Sequence, residues 1–202
     1  QRNGFEVYVE TNGFTGQVEG HFHSPRLTQP PQGTLSVNMR DATNVNRFNA
    51  RYDMLKPATA EATNLDVSSR EDQQSEATTS QLPSLGQQAS LATSQQRRVL
   101  PSGTGLARTG ELKTYAQAVA DRSSLAITAD GELNTVAYGG LLRAKRPIMV
   151  RGAGRQFSGT YYVQRVHHVF TPESYAQSFT LVRNATGLAG SESFVPSSAL
   201  PA

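Results

Sequence analysis

The sequence predicts a mainly β protein: an antiparallel barrel or half-open sandwich with one packed helix and a long polar insertion. Three stretches carry that expectation. From Pro147 to Arg183 the residues alternate as a meander of three strands. From Glu111 to Ser124 apolar residues recur at helical spacing. From Ser68 to Arg108 the chain is rich in Ser, Gln and Thr and holds no aromatic residue.

The meander opens on Pro147, whose fixed φ pushes Arg146 into an extended conformation and suits the first residue of a strand. Ile148, Met149 and Val150 form a short apolar run, and Gly152-Ala153-Gly154 breaks it as a hairpin loop would. The next strand puts Phe157, Gly159, Tyr161, Val163, Arg165, His167 and Val169 on one face. Ser158, Thr160, Tyr162, Gln164, Val166, His168 and Phe170 take the other. Both faces mix apolar with polar residues, which predicts a barrel wall covered on each side. Pro172-Glu173 turns the chain, and Tyr175, Gln177, Phe179, Leu181 and Arg183 alternate through the third strand.

Toward the N-terminus, Phe5 to Glu10 alternates as a strand, Asn12-Gly13 marks a turn, and Gln17 to His23 continues as its partner. Thr34 to Arg40 alternates with Leu35, Val37 and Met39 inward. Further strands are expected over 44–52 and 60–68. The polar stretch that follows lacks the apolar surface to offset ordering entropy, so it reads as a flexible insertion. In the helix, Leu112, Tyr115, Ala116, Val119, Ala120 and Ser123 make one stripe. Ile127–Ala129, a turn at Asp130-Gly131 and a strand from Leu133 to Tyr138 lead into the meander. The expected organisation is 1–66 for the first part of the barrel, 67–110 for the insertion, 111–188 for the helix and remaining strands, and 189–202 for a tail.

Composition narrows the function classes. The chain has 202 residues, no cysteine and a net charge of +3, which excludes disulfide scaffolds and thiolate metal sites and names no partner. No apolar run approaches membrane-spanning length. The chain starts at Gln1 without Met and reads as a fragment or processed form.

Motifs with chemistry fail on inspection. Gly105 to Gly110 has the glycine spacing of a phosphate loop, but Glu111 and Leu112 stand where lysine and Ser/Thr are required. Gly152-Ala153-Gly154 lacks the third glycine of a dinucleotide fingerprint and precedes a strand. His21 and His23 share a strand face, as in cupin metal sites, without the expected glutamate; His167 and His168 point to opposite faces. Glu6, Glu10, Glu19 and Glu132 are the carboxylates available for sugar hydrolysis, and nothing in the sequence brings two together. Asn184-Ala185-Thr186 matches a glycosylation sequon. Arg143, Lys145, Arg146, Arg151 and Arg155 cluster with no acid among them; they suit a subunit interface or, as an alternative, a nucleic-acid groove. No cofactor or metal is expected, and no catalytic set is visible. The other classes left open are a carbohydrate- or nucleic-acid-binding β-domain, a cell-wall hydrolase and a cupin-like oxygenase.

The proline-led basic strand, the GAG loop, FSGTYYVQRVHH and YAQSFTLVRN together resemble the C-terminal part of phage late control D proteins. The likeness extends upstream through Ala120-Asp121-Arg122, Gly131-Glu132-Leu133, Tyr138-Gly139 and Arg143, and more faintly to Gly4–Glu10. These are baseplate hub proteins of contractile tails and related bacterial injection systems. The resemblance implies a barrel of the tail-tube type and a non-enzymatic, structural role joining the tail tube to the central spike. It also implies a homo-oligomer, a trimer in the full-length context, with nucleic acid or an effector passing through the ring and no membrane partner. The expected location is the virion tail baseplate or an injection-system particle, assembled in the bacterial cytoplasm. Family members set two barrels per chain in a pseudo-sixfold ring; this chain is expected to hold about one.

Overall fold

The computed structural model describes residues 3–12, 15–65, 72–93, 97–100 and 109–194. Along the chain run β1 (Glu6–Thr11), β2 (Val18–His23), β3 (Thr34–Ser36), β4 (Val45–Tyr52), β5 (Ala58–Leu65) and β6 (Asp72–Ala77). Then come β7 (Gln88–Ala89), α1 (Ser90–Thr93), β8 (Arg97–Val99), α2 (Thr109–Ser124), β9 (Ile127–Leu133) and α3 (Thr135–Tyr138). The meander β10 (Pro147–Arg151), β11 (Gly159–Phe170) and β12 (Tyr175–Arg183) and the short β13 (Ala185–Thr186) complete it.

The main sheet has six strands in the order β3-β10-β11-β12-β9-β4 and curls as a half-barrel. It is mixed rather than antiparallel throughout, because β3 lies parallel to β10, with Met149 opposite Thr34. Its edge strands β3 and β4 are consecutive in the chain, and Asn44 links them. The Asn44 side chain accepts from the Ser36 amide at 2.7 Å and donates to the Thr34 carbonyl at 2.9 Å, standing in for a missing strand contact. Inside the curl sit Leu35, Ile127, Leu133, Ile148, Val150, Tyr161, Val163 and Leu181, all at most 1% exposed. Gly152 takes φ +79, and a Cβ there would run into the Val37 carbonyl, so this loop position requires glycine. Met39, expected inward, is half-exposed: β3 ends at Ser36, and Asn38 and Arg40 turn the chain with positive φ.

Three expectations are corrected. The two mixed faces of β11 resolve at a β-bulge between Val163 and Arg165. The bulge shifts parity, so Tyr161 and Val163 before it and Val166 after it all face the core. Asp130-Gly131 is not a turn: β9 runs straight through it between β12 and β4, which occupy its backbone groups on both sides. A Cβ on Gly131 would strike the Phe179 ring and the Arg47 carbonyl, so the glycine marks a close approach. The expected strand 133–138 stops at Leu133. Asn134 accepts from the Ala137 amide at 3.1 Å and caps α3, and Gly139 closes it at φ +67.

The segment 67–110, expected as a polar and flexible insertion, carries short strands. Within it β6 pairs with β5, β8 lies parallel to β5, and β7 pairs with β13. The sheet β6-β5-β8 packs against α2 through Ala60, Ala62 and Ala77 on Leu112, Ala116 and Ala120. Alanine adds little to an apolar tally, yet its small side chain lets helix and sheet approach closely. Farther along, Arg183 and Asn184 sew the segment to the main sheet. Arg183 is fully buried; its guanidinium donates to the carbonyls of Leu85 (2.8 Å), Ser158 (2.9 Å) and Gly187, and stacks over Tyr161. Asn184 accepts from the Leu85 amide at 2.9 Å and donates to the Pro83 carbonyl at 2.9 Å. Residues 66–71, 94–96 and 101–108 of this region, and 195–202 of the expected tail, lie outside the described residues.

Candidate functional site

The basic cluster finds its acids far away in the sequence. Lys145 Nζ lies 2.9 Å from Glu6 Oε1, and Arg143 and Arg146 lie 3.7 and 3.8 Å from the carboxylate of Glu10. Tyr162 donates to the second oxygen of Glu6. Arg151 donates from Nε to the Ser36 hydroxyl at 2.8 Å, and Arg155 is exposed. Three of the five cations are therefore paired with acids within the chain, and a fourth, Arg151, bonds a hydroxyl. The cluster no longer offers the unpaired positive stripe that a nucleic-acid groove needs. Lys145 sits at φ +65, a strained backbone position for a non-glycine residue, held by its amide bond to the Val163 carbonyl at 2.7 Å.

The acids come from the β1–β2 hairpin, and its alternation explains the arrangement. Glu6, Tyr8 and Glu10 share one face with His21 and His23, and that face turns toward the body of the molecule. Tyr8 and His21 stack at 4.7 Å between ring centroids. His23 Nδ1 is 2.7 Å from the Ser24 carbonyl and its Nε2 is 3.2 Å from the Tyr8 hydroxyl. In the neutral ring, Nδ1 donates to the carbonyl and Nε2 accepts from tyrosine. Burial raises the Tyr162 pKa, and the hydrogen bond to Glu6 and the charge of that carboxylate push the same way. Tyr8 is raised by burial and by Glu10. These histidines are thus spoken for by tyrosine and carbonyl. Among the described residues no group of three or more His, Cys, Asp and Glu is placed to hold a metal ion.

The opposite face of the hairpin is apolar and open. Val7, Val9, Val18 and Phe22 are each 63–70% exposed, and Phe5 stacks on Phe22 at 4.8 Å. None of the three apolar cores of the described residues contains a residue of β1 or β2. The hairpin is an arm, polar side in and apolar side out.

The remaining sequence candidates separate. His167 lies on the outer sheet face beside Ser178, whereas His168 bonds the Tyr175 hydroxyl at 2.8 Å, and burial lowers its pKa. Asn184 of the sequon is buried and cannot carry a glycan. Gly105–Arg108 of the rejected phosphate loop lies outside the described residues. Of the four glutamates, Glu19 lies opposite Glu10 across the hairpin but accepts from Asn12 at 2.8 Å, Glu10 faces Arg143 and Arg146, and Glu132 lies apart on β9. An open cleft of about 480 Å³ between α2 and the start of the arm holds Glu6, Lys113, Asp121, Arg122 and Lys145. Its Asp121 is already bonded to Ser80, Gln117 and the Gln81 amide. Sequence reasoning missed the outward arm face, although the alternation Phe5-Val7-Val9 was its signal.

No protein-family model matches the sequence, and no curated protein matches it. Solved structures do. The 43 kDa tail protein of prophage MuSo2 from Shewanella oneidensis superposes with a TM-score of 0.54 at 12% identity, over 89% of this chain. A tail protein from Neisseria meningitidis MC58 gives 0.55 at 13% identity, over 91%. The chain spans about half of each, 51% of either length. At these identities the likeness is one of fold: the chain shares the architecture of half of two phage tail proteins.

Proposed function

We propose that the chain is a structural component of a phage tail or related injection system, and within it part of the baseplate hub that joins tail tube to spike. The observation that carries this reading is the match in fold to two tail proteins over about nine-tenths of the chain. The late control D resemblance of the meander points the same way and supplies the finer assignment. The role is assembly rather than catalysis, and the carboxylates of Glu6 and Glu10 serve to hold the arm to the body. The chain works as a ring-former, a trimer in the full-length context, meeting tube and spike proteins at its two ends. Of the five basic residues, Arg151 and Arg155 remain the ones suited to a neighbouring subunit.

The test is co-assembly. Mixed with tube and spike proteins of the same tail, the chain should enter ring-shaped complexes seen by negative-stain microscopy and co-sediment with both. A chain that stays monomeric and binds neither protein, or that turns over peptidoglycan, overturns the reading.

A further inference from the structure

We propose that the β1–β2 arm is a pH-sensitive strap: protonation of His21 and His23 draws Glu6 and Glu10 away from the body and releases the arm from it. The device lies within the chain itself and needs no partner.

The hold on the arm is narrow. None of the apolar cores of the described residues includes a residue of β1 or β2. The ionic contacts run through two carboxylates, Glu6 to Lys145 and Glu10 to Arg143 and Arg146, and Tyr162 adds its bond to Glu6. Ion pairs near a surface are weak one by one, so a modest change of charge moves such a balance.

Each of the two carboxylates has a histidine on the neighbouring strand. His23 stands opposite Glu6, within cross-strand reach, and His21 stands opposite Tyr8, on the diagonal to Glu10. His21 Nε2 lies 4.0 Å from Glu10 Oε2, the oxygen that Arg146 approaches to 3.8 Å. As a neutral ring it does no more than stack on Tyr8. Once charged, it offers Glu10 a partner on its own hairpin and repels Arg143 and Arg146. His23 is placed to do the same to Glu6 and Lys145. Its neutral ring is bonded at both nitrogens, to the Ser24 carbonyl and the Tyr8 hydroxyl. Protonation turns Nε2 from acceptor to donor and reverses the bond to Tyr8.

The charges on the two sides give the direction. By hairpin register Glu6, Glu10 and Glu19 share the inward side of the arm. Arg143, Lys145 and Arg146 face them from the body, and Arg26, beside the buried Leu27, acts on Tyr8. Across the open cleft from Glu6, α2 contributes Lys113, Asp121 and Arg122. Two imidazoliums would cut the three negative charges of the arm's inward side to one, against a body that stays positive. Coulomb attraction scales with the product of the charges, so the hold weakens about threefold. In a released arm the imidazoliums keep their neighbouring carboxylates and lose the body's cations, so protonation favours release. Tyr8 and Tyr162 do not compete, because burial raises both above their ordinary range. The histidines are the groups of this face that charge between about pH 5 and 8.

Hydrogen exchange of the 202-residue chain, read as protection relative to the intrinsic rate at each pH, tests the strap. Going from about pH 7.5 to about pH 5.5 charges histidine and leaves glutamate ionised. Protection of β1 and β2 amides should fall about threefold to fivefold, the worth of one or two exposed ion pairs, while that of β11 and β12 holds. His21→Gln/His23→Gln should keep its arm protection constant over the same range. Should that variant lose protection in β11 and β12 as well, His21→Gln alone takes its place and should show about half the wild-type fall. In about 0.5 M salt the wild-type fall should shrink, because screening weakens attraction and repulsion alike. A wild-type arm whose protection ignores pH overturns the proposal. An equal fall in the double variant also overturns it, since other groups then carry the titration. So does a matching loss in wild-type β11 and β12, which would mean that the body opens together with the arm.

Discussion

Two hairpins among the described residues, β11–β12 and β1–β2, solve burial in opposite ways. In β11–β12, Tyr161, Val163, Phe179 and Leu181 point into the main core, each at most 3% exposed. In β1–β2 the apolar residues point outward, and the side turned to the body is Glu6, Tyr8, Glu10, His21 and His23. The first hairpin is held by area removed from water, at about 25 cal/mol per Å². The second is held by geometry-dependent polar contacts, each worth far less once solvation is counted. The difference teaches that alternation alone fixes a strand but not which face meets the body. That choice falls to the partners: the side of the arm turned to the body is the one whose acids meet Arg143, Lys145 and Arg146.

The largest effects should come from the body. Arg183→Met leaves carbonyls of Leu85, Ser158 and Gly187 without their donor, at about 1–3 kcal/mol each, so a loss of roughly 4 kcal/mol is expected in urea unfolding. Proteolysis should then cut within 83–90, the segment that the guanidinium pins. Leu181→Ala should cost about 2–5 kcal/mol, as buried leucines do. Val9→Ala on the arm should change stability by less than about 0.5 kcal/mol. Equal costs for Leu181→Ala and Val9→Ala would erase the contrast between the hairpins.

How legible was this in the sequence? The meander, the helix and the first hairpin follow from alternation and glycine or proline punctuation, and they stand where the pattern puts them. What failed is instructive. The bulge at Gln164 has no composition of its own, so parity was carried straight through it. Asp130-Gly131 is a turn dipeptide by local preference, but two flanking strands claim its backbone and Phe179 claims the space of its missing side chain. The polar insertion was judged by its apolar content, and that content gave no sign of the strand pairing, alanine contacts and Arg183–Asn184 clamp among its described residues. In the candidate site the cations were legible as a cluster. Their acids were not, because Glu6 lies 139 residues from Lys145.

Alkaline titration sharpens the comparison at the next scale. Burial pushes Tyr138 and Tyr161 up to about 12, against about 10 for the unfolded chain. The folded state therefore binds these protons more tightly. Their contribution is complete below pH 10 and is lost as pH rises from about 10 to about 12, on the order of 2–3 kcal/mol for each ring. Urea unfolding at pH 9 to 12 should show stability falling over that window. Tyr161→Phe should make the fall shallower, while losing about 1 kcal/mol at neutral pH with the bond to the Phe157 carbonyl. A flat profile in the wild type would mean that the body of the sheet opens to water far more readily than its packing implies.

The smallest effect belongs to the arm and is the most specific. Glu6 joins Lys145 and Tyr162, both partly or wholly buried, and replacing it with glutamine keeps shape while removing the charge. Global stability should drop by only about 1 kcal/mol, because none of the apolar cores of the described residues includes a residue of β1 or β2. The local consequence should be larger in proportion. Amides of β1 and β2 should exchange with solvent about fivefold to tenfold faster, with those of β11 and β12 unchanged, since a contact of about 1 kcal/mol governs opening of the arm alone. Added salt should speed exchange in the wild-type arm more than in Glu6→Gln, because screening weakens all three charge pairs in the first and only those of Glu10 in the second. If β11 and β12 loosen together with β1 and β2, the arm is part of the body's cooperative unit, and the division between charge-held and core-held hairpins does not stand.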